Sequence, residues 1–175
     1  QNLINQAVIT LGGRGTRLQS VTGGSQKVIV KVGNKTFLQI ILEKLCSEKF
    51  NEIYLATGYQ ALEVKKIIKQ IKLPIKINII QEDKPLGTGG AIKNALTKIK
   101  FEHLLVLNGD SFNDVSYFEM LSSHIKLNSD LSILAYYVDD VSRYGKEDNG
   151  NLQTELDKRI AKITGETTAV LLYTS

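Results

Sequence analysis

Hydrophobic and polar positions along the chain follow two periods in turn, which predicts strands and helices that alternate. Short apolar runs rich in β-branched residues are typical of buried strands, whereas apolar residues three or four positions apart are typical of amphipathic helices. The predicted strands are Gln6–Leu11, Glu52–Thr57, Lys76–Ile80, His103–Leu107, Leu131–Val138 and Val170–Tyr173. The predicted helices are Phe37–Leu45, Gln60–Gln70, Thr88–Ile99 and Ser116–Leu127, the third with Thr88 or a nearby glycine as its N-cap.

Strands that alternate with helices build βαβ units, and these predict an α/β fold with a mostly parallel sheet. We therefore expect a Rossmann-like three-layer sandwich, with helices on both faces of a central sheet. In such sheets ligands bind beyond the carboxyl ends of the strands. Three predicted strands are followed by residues that could bind a ligand: a glycine-rich segment from Gly12, the segment Glu82–Gly90, and Asp110. We expect these three ends to meet at one edge of the sheet.

Size and composition indicate a single domain that spans residues 1–175. The chain has 175 residues, of which 42% are hydrophobic and 23% charged, and this is enough apolar material for one core. No run approaches the roughly 18 apolar residues that a membrane span needs. The first six residues lack the pattern of a signal peptide, and a single cysteine, Cys46, excludes an internal disulfide. We therefore expect a cytoplasmic protein with no membrane partner.

The net charge of +4 is spread over predicted helices and does not indicate a nucleic-acid surface. Lysines such as Lys65, Lys66 and Lys69 follow a helical period without interleaved aromatic side chains. We therefore expect no nucleic-acid partner, whereas a modestly positive field suits a phosphorylated substrate. No sequence pattern indicates an oligomeric state.

The glycine-rich segment after the first predicted strand is the first candidate binding site. Residues 11–18 have the sequence Leu-Gly-Gly-Arg-Gly-Thr-Arg-Leu. Glycines let backbone N–H groups approach phosphate oxygens closely, and Arg17 adds positive charge where phosphate charge gathers. The segment lacks the lysine of a P-loop, and Leu18 replaces the third glycine of a dinucleotide fingerprint. Unless the glycines only form a structural turn, the predicted nucleotide contacts are Leu11, Gly12, Gly13, Gly15 and Thr16.

A second glycine-rich segment, Gln81–Ile92, opens the third predicted helix and offers a carboxylate. Helix N-termini present free N–H groups to ligands, and glycines allow a flat base to approach. An ionised carboxylate only accepts hydrogen bonds, and guanine offers two adjacent donors, so Glu82 favours guanine if it faces the base. If the neighbouring Gln81 faces the base instead of Glu82, its amide would favour a pyrimidine. The predicted nucleotide contacts here are Glu82, Gly87, Thr88 and Gly89.

The fourth predicted strand ends at Asn108, Gly109 and Asp110, where oxygen ligands become available. A carboxylate that follows a buried strand and a glycine is well placed to hold Mg²⁺, which prefers oxygen ligands and keeps waters and substrate phosphates. We predict Asp110 as the Mg²⁺ ligand and Asn108 as a nucleotide contact. The alternative for Asp110 is a turn residue.

The glycine-rich motifs resemble those of one family. Residues 12–18, Gly-Gly-x-Gly-Thr-Arg-Leu after a first strand, resemble the signature of the sugar-1-phosphate nucleotidyltransferases. Residues 86–92, Leu-Gly-Thr-Gly-Gly-Ala-Ile, resemble the heptose- and mannose-1-phosphate guanylyltransferase branch. The resemblance covers about Ala7–Gly145 and implies the nucleotide-diphospho-sugar transferase type of the fold. The chain departs from the family pattern at Leu11, where an alanine is usual, and beside Lys27, where the flanking prolines are absent.

This resemblance implies a reaction and a role for each matching residue. An oxygen of a sugar 1-phosphate attacks the α-phosphorus of a nucleoside triphosphate, with GTP favoured, and pyrophosphate leaves. Arg17 is implied to hold the leaving phosphates, Lys27 to lie near the α-phosphate, and Asp110 to hold Mg²⁺. The tripeptide that ends at Gly145 resembles the segment that closes over the sugar, which makes Tyr144 and Gly145 sugar contacts.

Two other functions stay open at the level of the sequence. Beyond Gly145 the pattern is polar and irregular up to Gly165, and the family's later sugar-binding segments have no counterpart that can be assigned. We therefore expect residues 146–175 to be an atypical and incomplete sugar-binding part. The alternatives are a uridylyl- or cytidylyltransferase that acts on another phosphorylated acceptor, and a nucleotide-binding regulatory module without transferase activity.

Overall fold

The computed structural model describes residues 5–11, 29–58, 61–82, 86–134 and 170–174, and of residues 87, 88 and 170–174 it describes the backbone. The strands are β1 Gln6–Thr10, β2 Lys31–Val32, β3 Lys35–Thr36, β4 Glu52–Thr57, β5 Lys76–Gln81, β6 His103–Asn108, β7 Leu131–Ile133 and β8 Val170–Thr174. The helices are α1 Phe37–Ser47, α2 Ala61–Gln70, α3 Gly87–Leu96 and α4 Tyr117–Lys126. Within these described ranges, no helix is long and apolar enough to cross a membrane.

A six-stranded sheet with the order β5-β4-β1-β6-β8-β7 forms the centre of the fold. β5, β4, β1 and β6 run parallel, whereas β8 pairs antiparallel with both β6 and β7. The predicted α/β fold with a mostly parallel sheet is confirmed. The strand order reverses at β1, because β4 and β5 lie on one side of it and β6 on the other. Open α/β sheets bind ligands outside the carboxyl ends of the strands at such a switch point.

Helices cover both faces of this sheet. Because side chains alternate along a strand, β1 sends Ala7 and Ile9 to one face and Val8 to the other. The first face packs against α1, α2 and α4, and the second packs against α3. Helix side chains in these contacts include Leu42, Val64 and Leu121 on the first face and Ala91 and Ala95 on the second. The expected three-layer arrangement is therefore present.

Both ends of α3 differ from the sequence-based prediction. The helix begins at Gly87 with Leu86 as its N-cap, so Thr88 lies inside the first turn, and no side chain bonds at the cap. The Leu86 amide nitrogen instead lies 3.4 Å from a carboxylate oxygen of Glu82. The helix ends at Leu96, before the predicted Ile99, because residues 97 and 98 form a turn whose amides bond back to carbonyls within the helix.

Short strands account for two further differences. β7 ends at Ile133, so the predicted strand Leu131–Val138 is confirmed at its start, and residues 135–138 lie outside the described part. β2 and β3 form an antiparallel hairpin that the pattern did not predict, since two residues per strand are too few to show a period. Gly33 at the tip of the hairpin has a φ of +66°, which glycine adopts without strain.

Candidate functional site

Three of the sequence motifs begin at the carboxyl edge of the parallel strands. The pairing register places Thr10, Ala56, Ile80 and Asn108 in one row across β1, β4, β5 and β6. Leu11, Glu82 and Gly109 follow three of these strands, and each donates its amide to a carbonyl of the neighbouring strand at 2.8–2.9 Å. The prediction that the three motifs begin at one edge of the sheet is confirmed.

Three polar side chains at this edge lie on the same face of the sheet as α3. Thr10, Glu82 and Asn108 each come two residues after a side chain that packs in the core beneath α3. Those core side chains are Val8, Ile80 and Val106. Because side chains two residues apart in extended chain share a face, the three polar groups lie on the α3 side. A ligand at this edge would meet them together with the first turn of α3.

The first turn of α3 is built from small residues, Gly87–Gly90. A Cβ at Gly90 would lie 2.7 Å from the Cβ of Leu86, so glycine lets the N-cap side chain fold onto the helix. The first N–H groups of a helix have no partner within it, and the helix dipole makes this end attractive to anions. The turn therefore offers backbone donors at the carboxyl edge of the sheet.

Glu82 is a buried carboxylate that is incompletely paired. The residue is 8% exposed, and its Oε1 has no hydrogen-bond partner among the described residues. Its Oε2 lies at a long 3.4 Å from the amide nitrogen of Leu86. A buried acceptor without a donor is unfavourable, and native structures seldom leave one unless a ligand or an ion completes it. Glu82 thus suits a ligand that brings hydrogen-bond donors to this edge.

Gly109 lets β1 and β6 approach closely at the end of β6. A Cβ built there would lie 2.9 Å from the carbonyl oxygen of Thr10 and would clash with Cδ2 of Leu11. Only glycine fits without a shift, and the amide of Gly109 then bonds to that same carbonyl of Thr10. Asp110 follows in the turn with an exposed side chain, and its Oδ1 accepts a hydrogen bond from Ser111 Oγ at 3.1 Å.

Asp110 presents its carboxylate alone, outside any metal-binding cluster that the described residues form. Among the described residues, no group of three or more His, Cys, Asp or Glu side chains could hold a metal ion. Mg²⁺ is often held by only one or two carboxylates, with waters and substrate phosphates as its other ligands. A single exposed carboxylate at the edge of the sheet fits that mode, so Asp110 is compatible with a magnesium ion shared with a phosphorylated ligand.

Thr10 is a polar neighbour of the site that the sequence analysis did not select. Its hydroxyl lies 3.1 Å from Oδ1 of Asn108 and 3.3 Å from the carbonyl oxygen of Leu107. The one sequence signal was a hydroxyl-bearing residue at the last position of an otherwise apolar strand. Thr57, at the end of β4, follows Leu55 on the face opposite α3, so its buried hydroxyl, which has no partner within the described residues, is not grouped with these polar side chains.

Several predicted site residues lie outside the described residues and stay predictions. They are Gly12, Gly13, Gly15, Thr16, Arg17, Lys27, Tyr144 and Gly145, together with the side chain of Thr88. Leu11 is described, and its side chain is buried in the core, so a ligand contact from Leu11 would come from its backbone. The structure places Glu82, the first turn of α3, Asn108 and Asp110 along the same edge of the sheet.

Comparison with known proteins links these features to one family. The family model of nucleotidyl transferases matches residues 6–162. The D-glycero-alpha-D-manno-heptose 1-phosphate guanylyltransferase of Campylobacter jejuni is 37% identical over 163 residues, which cover 91% of this chain and 71% of the relative. The enzyme of the same name from Aneurinibacillus thermoaerophilus is 34% identical over 80% of this chain and 61% of its own length. The mannose-1-phosphate guanylyltransferase catalytic subunit beta of Dictyostelium discoideum is 32% identical over 87% of this chain and 45% of its own length.

Solved structures give the same result at the level of the fold. The crystal structure of HddC from Yersinia pseudotuberculosis complexed with GMP-PN aligns with a TM-score of 0.73 and 32% identity, over 97% of this chain and 76% of that chain. A Bacillus anthracis protein described as a glucose-1-phosphate thymidylyltransferase aligns with a TM-score of 0.72 over 97% of this chain and 71% of its own. At 18% identity, the second likeness concerns the fold alone.

Proposed function

This chain belongs to the nucleotidyl transferase family, and from that premise we propose that it transfers the guanylyl group of GTP to a sugar 1-phosphate. The products are a GDP-sugar and pyrophosphate. The acceptor we propose is a heptose or mannose type of sugar 1-phosphate, since the relatives named above are guanylyltransferases for those two classes.

The observation that carries the proposal is Glu82, buried beside the first turn of α3 with Oε1 unpartnered among the described residues. The Watson–Crick edge of guanine has two adjacent donors, N1–H and the 2-amino group, and a carboxylate accepts both. Uracil and thymine present one donor between two acceptors, which an amide suits better. Gln81 lies on the opposite face of β5 by strand alternation, and its side chain is exposed. This arrangement favours Glu82, and therefore guanine, over a pyrimidine contact from Gln81.

The phosphates are assigned to groups that follow β1. In the proposed reaction an oxygen of the sugar phosphate forms a bond to the α-phosphorus, and the bond from that phosphorus to the pyrophosphate oxygen breaks in line. Gly12, Gly13 and neighbouring backbone amides bind phosphate oxygens in this proposal, since they follow Leu11, which lies at the same edge as Glu82. Arg17 neutralises the leaving pyrophosphate, and Lys27 the α-phosphate and the attacking phosphate. Tyr144 and Gly145 contact the sugar.

Asp110 is the residue that would hold Mg²⁺ in this proposal. A bound magnesium ion would neutralise negative charge on the phosphate oxygens. The fit rests on a single exposed carboxylate at the carboxyl edge, next to the expected position of the triphosphate. The Ser111 hydroxyl orients that carboxylate by donating a hydrogen bond to Oδ1.

The test is pyrophosphate release by the purified protein with Mg²⁺, each of GTP, ATP, CTP and UTP, and a panel of sugar 1-phosphates. We expect release with GTP together with a heptose or mannose 1-phosphate. Release with UTP or CTP in the absence of release with GTP would overturn the guanylyl assignment and support a pyrimidine nucleotidyltransferase. Nucleotide binding without release from any pair would support a regulatory module.

A further inference from the structure

The hydroxyl of Thr10 is placed to orient the side-chain amide of Asn108. The two residues lie directly opposite each other in the parallel pairing of β1 and β6, at the last position of each strand. Thr10 is 7% exposed, and its Oγ1 lies 3.1 Å from Oδ1 of Asn108 and 3.3 Å from the carbonyl oxygen of Leu107. The single hydroxyl proton is therefore shared between two oxygen acceptors.

A donor at this position selects one orientation of the Asn108 amide. A carboxamide has an acceptor oxygen and a donor nitrogen on opposite branches, and rotation by half a turn exchanges them. The Thr10 hydroxyl donates towards Oδ1, which turns the Nδ2 branch away from β1. Asn108 then offers N–H donors to groups other than Thr10, at the edge where Leu11 leads into the glycine-rich segment.

We propose that Thr10 is a positioning residue, whose hydroxyl holds Asn108 so that the Asn108 amide donates a hydrogen bond to an oxygen atom of the bound nucleoside triphosphate. The inference rests on the proposed function, because it takes Asn108 as a nucleotide contact. Thr10 itself does not touch the nucleotide.

The backbone around the pair keeps it rigid. The Gly109 amide bonds to the carbonyl of Thr10 at 2.9 Å, and no space is left for a Cβ at Gly109. β1 and β6 are consequently locked in register where the two side chains meet. A donor that is oriented before binding loses little freedom when the ligand arrives, so its hydrogen bond contributes more to affinity.

The experiment measures the dissociation constant of Mg²⁺–GTP by calorimetry for the wild type, T10V, T10S, N108A and the double variant T10V/N108A. Valine keeps the shape of threonine and removes the donor, so we expect T10V to weaken binding about three- to tenfold. T10S restores the hydroxyl and should bind within about twofold of the wild type. The double variant should bind no more weakly than N108A, because Thr10 acts through Asn108.

Thr57 supplies a matched control at the end of the neighbouring strand. It is also a buried threonine, and its hydroxyl has no partner among the described residues. T57V makes the same chemical change and should leave the dissociation constant of GTP unchanged. Thermal unfolding of each variant checks the fold, and T10A replaces T10V if the valine variant does not fold.

The outcomes separate the positioning role from the proposed function. Wild-type binding by T10V, or effects of T10V and N108A that add in the double variant, would overturn the positioning role while pyrophosphate release stands. Equal weakening by T10V and T57V would also overturn it, since packing alone would then explain the loss. A wild-type protein that neither binds GTP nor releases pyrophosphate would overturn the proposed function, and the role of Thr10 with it.

Discussion

At the scale of single residues, Glu82 should set the preference for the base. We expect E82Q to lower the ratio of kcat/KM for GTP to that for UTP at least about tenfold, because glutamine replaces one acceptor with a donor that opposes the guanine 2-amino group. Steady-state pyrophosphate release with each nucleotide measures the ratio. E63Q is the control, since Glu63 is exposed on α2. An unchanged ratio in E82Q would remove Glu82 from the base site.

Arg17 and Lys27 should act on charge that develops during the transfer. Removal of one preorganised transition-state donor costs about two to three orders of magnitude in turnover. We therefore expect R17A and K27A each to lower kcat at least about 10²-fold, with K66A, an exposed lysine of α2, as the control. Rapid-quench measurement of GDP-sugar formation tests this, and near-normal turnover of either variant would contradict the assignment.

Gly109 should be required for the close approach of β1 and β6. G109A would bring a Cβ to 2.9 Å from the carbonyl oxygen of Thr10, which is backbone and cannot move aside cheaply. We expect a loss of about 1–3 kcal/mol in the free energy of unfolding, measured in urea. G58A is the control, because a Cβ at Gly58 would meet nothing within 4 Å. Equal stability of the two variants would contradict the steric argument.

At the scale of secondary-structure elements, Glu48 joins α1 to α4. It follows the last residue of α1, and its Oε2 accepts a hydrogen bond from the amide of Phe118 at 2.9 Å, in the first turn of α4. A carboxylate at a helix N-terminus bonds free amides and interacts favourably with the helix dipole. Lys44 forms a partly buried ion pair with Glu48 at 2.7 Å, which holds the carboxylate in place.

We expect E48A to lower the free energy of unfolding by about 1–2 kcal/mol, because one hydroxyl donor, of Ser116, and one amide donor, of Phe118, lose their acceptor at the start of α4. Urea unfolding followed by circular dichroism measures the loss. E43A breaks a more exposed ion pair with Lys35 and should cost at most about 1 kcal/mol. An equal loss of unfolding free energy in E43A and E48A would contradict the capping role of Glu48.

The elements differ in how far sequence could predict them. β4 matched the prediction because six residues show a clear apolar pattern, whereas the hairpin of β2 and β3 is too short for any period. α3 began at Gly87, one residue earlier than predicted, because glycine is a weak helix former and the sequence pattern does not assign it to a helix. The convergence of Glu82 and Asp110 followed from parallel topology. The pairing of Thr10 with Asn108 depends on the exact register between strands far apart in sequence, which periodicity does not specify.

At the scale of the whole molecule, β6 separates the ligand edge of the sheet from a pair of histidines at the opposite edge. Asn108 ends the strand at the ligand edge, and His103 begins it at the opposite edge. At about 3.3 Å per residue the two ends lie roughly 16 Å apart. Near His103, the buried His124 accepts or donates a hydrogen bond at 2.8 Å to Ser132, and its ring lies edge-on to that of His103. A change of protonation there should alter stability more than nucleotide binding.

Burial, and next the neighbouring His103, lower the pKa of His124, while Asp130 opposes the shift. The unfolded chain therefore takes up a proton on His124 at a higher pH than the folded protein does. The free energy of unfolding should be unaffected by His124 well above its ordinary pKa of about 6.5, fall as the pH drops through that value, and level off below the folded pKa. Urea unfolding between about pH 7.5 and 5.5 measures the slope, and this range lies above the ordinary pKa of carboxylates. H124N keeps a polar partner for Ser132 without a titrating ring, so its slope should be smaller, whereas parallel profiles would show that other groups cause the dependence.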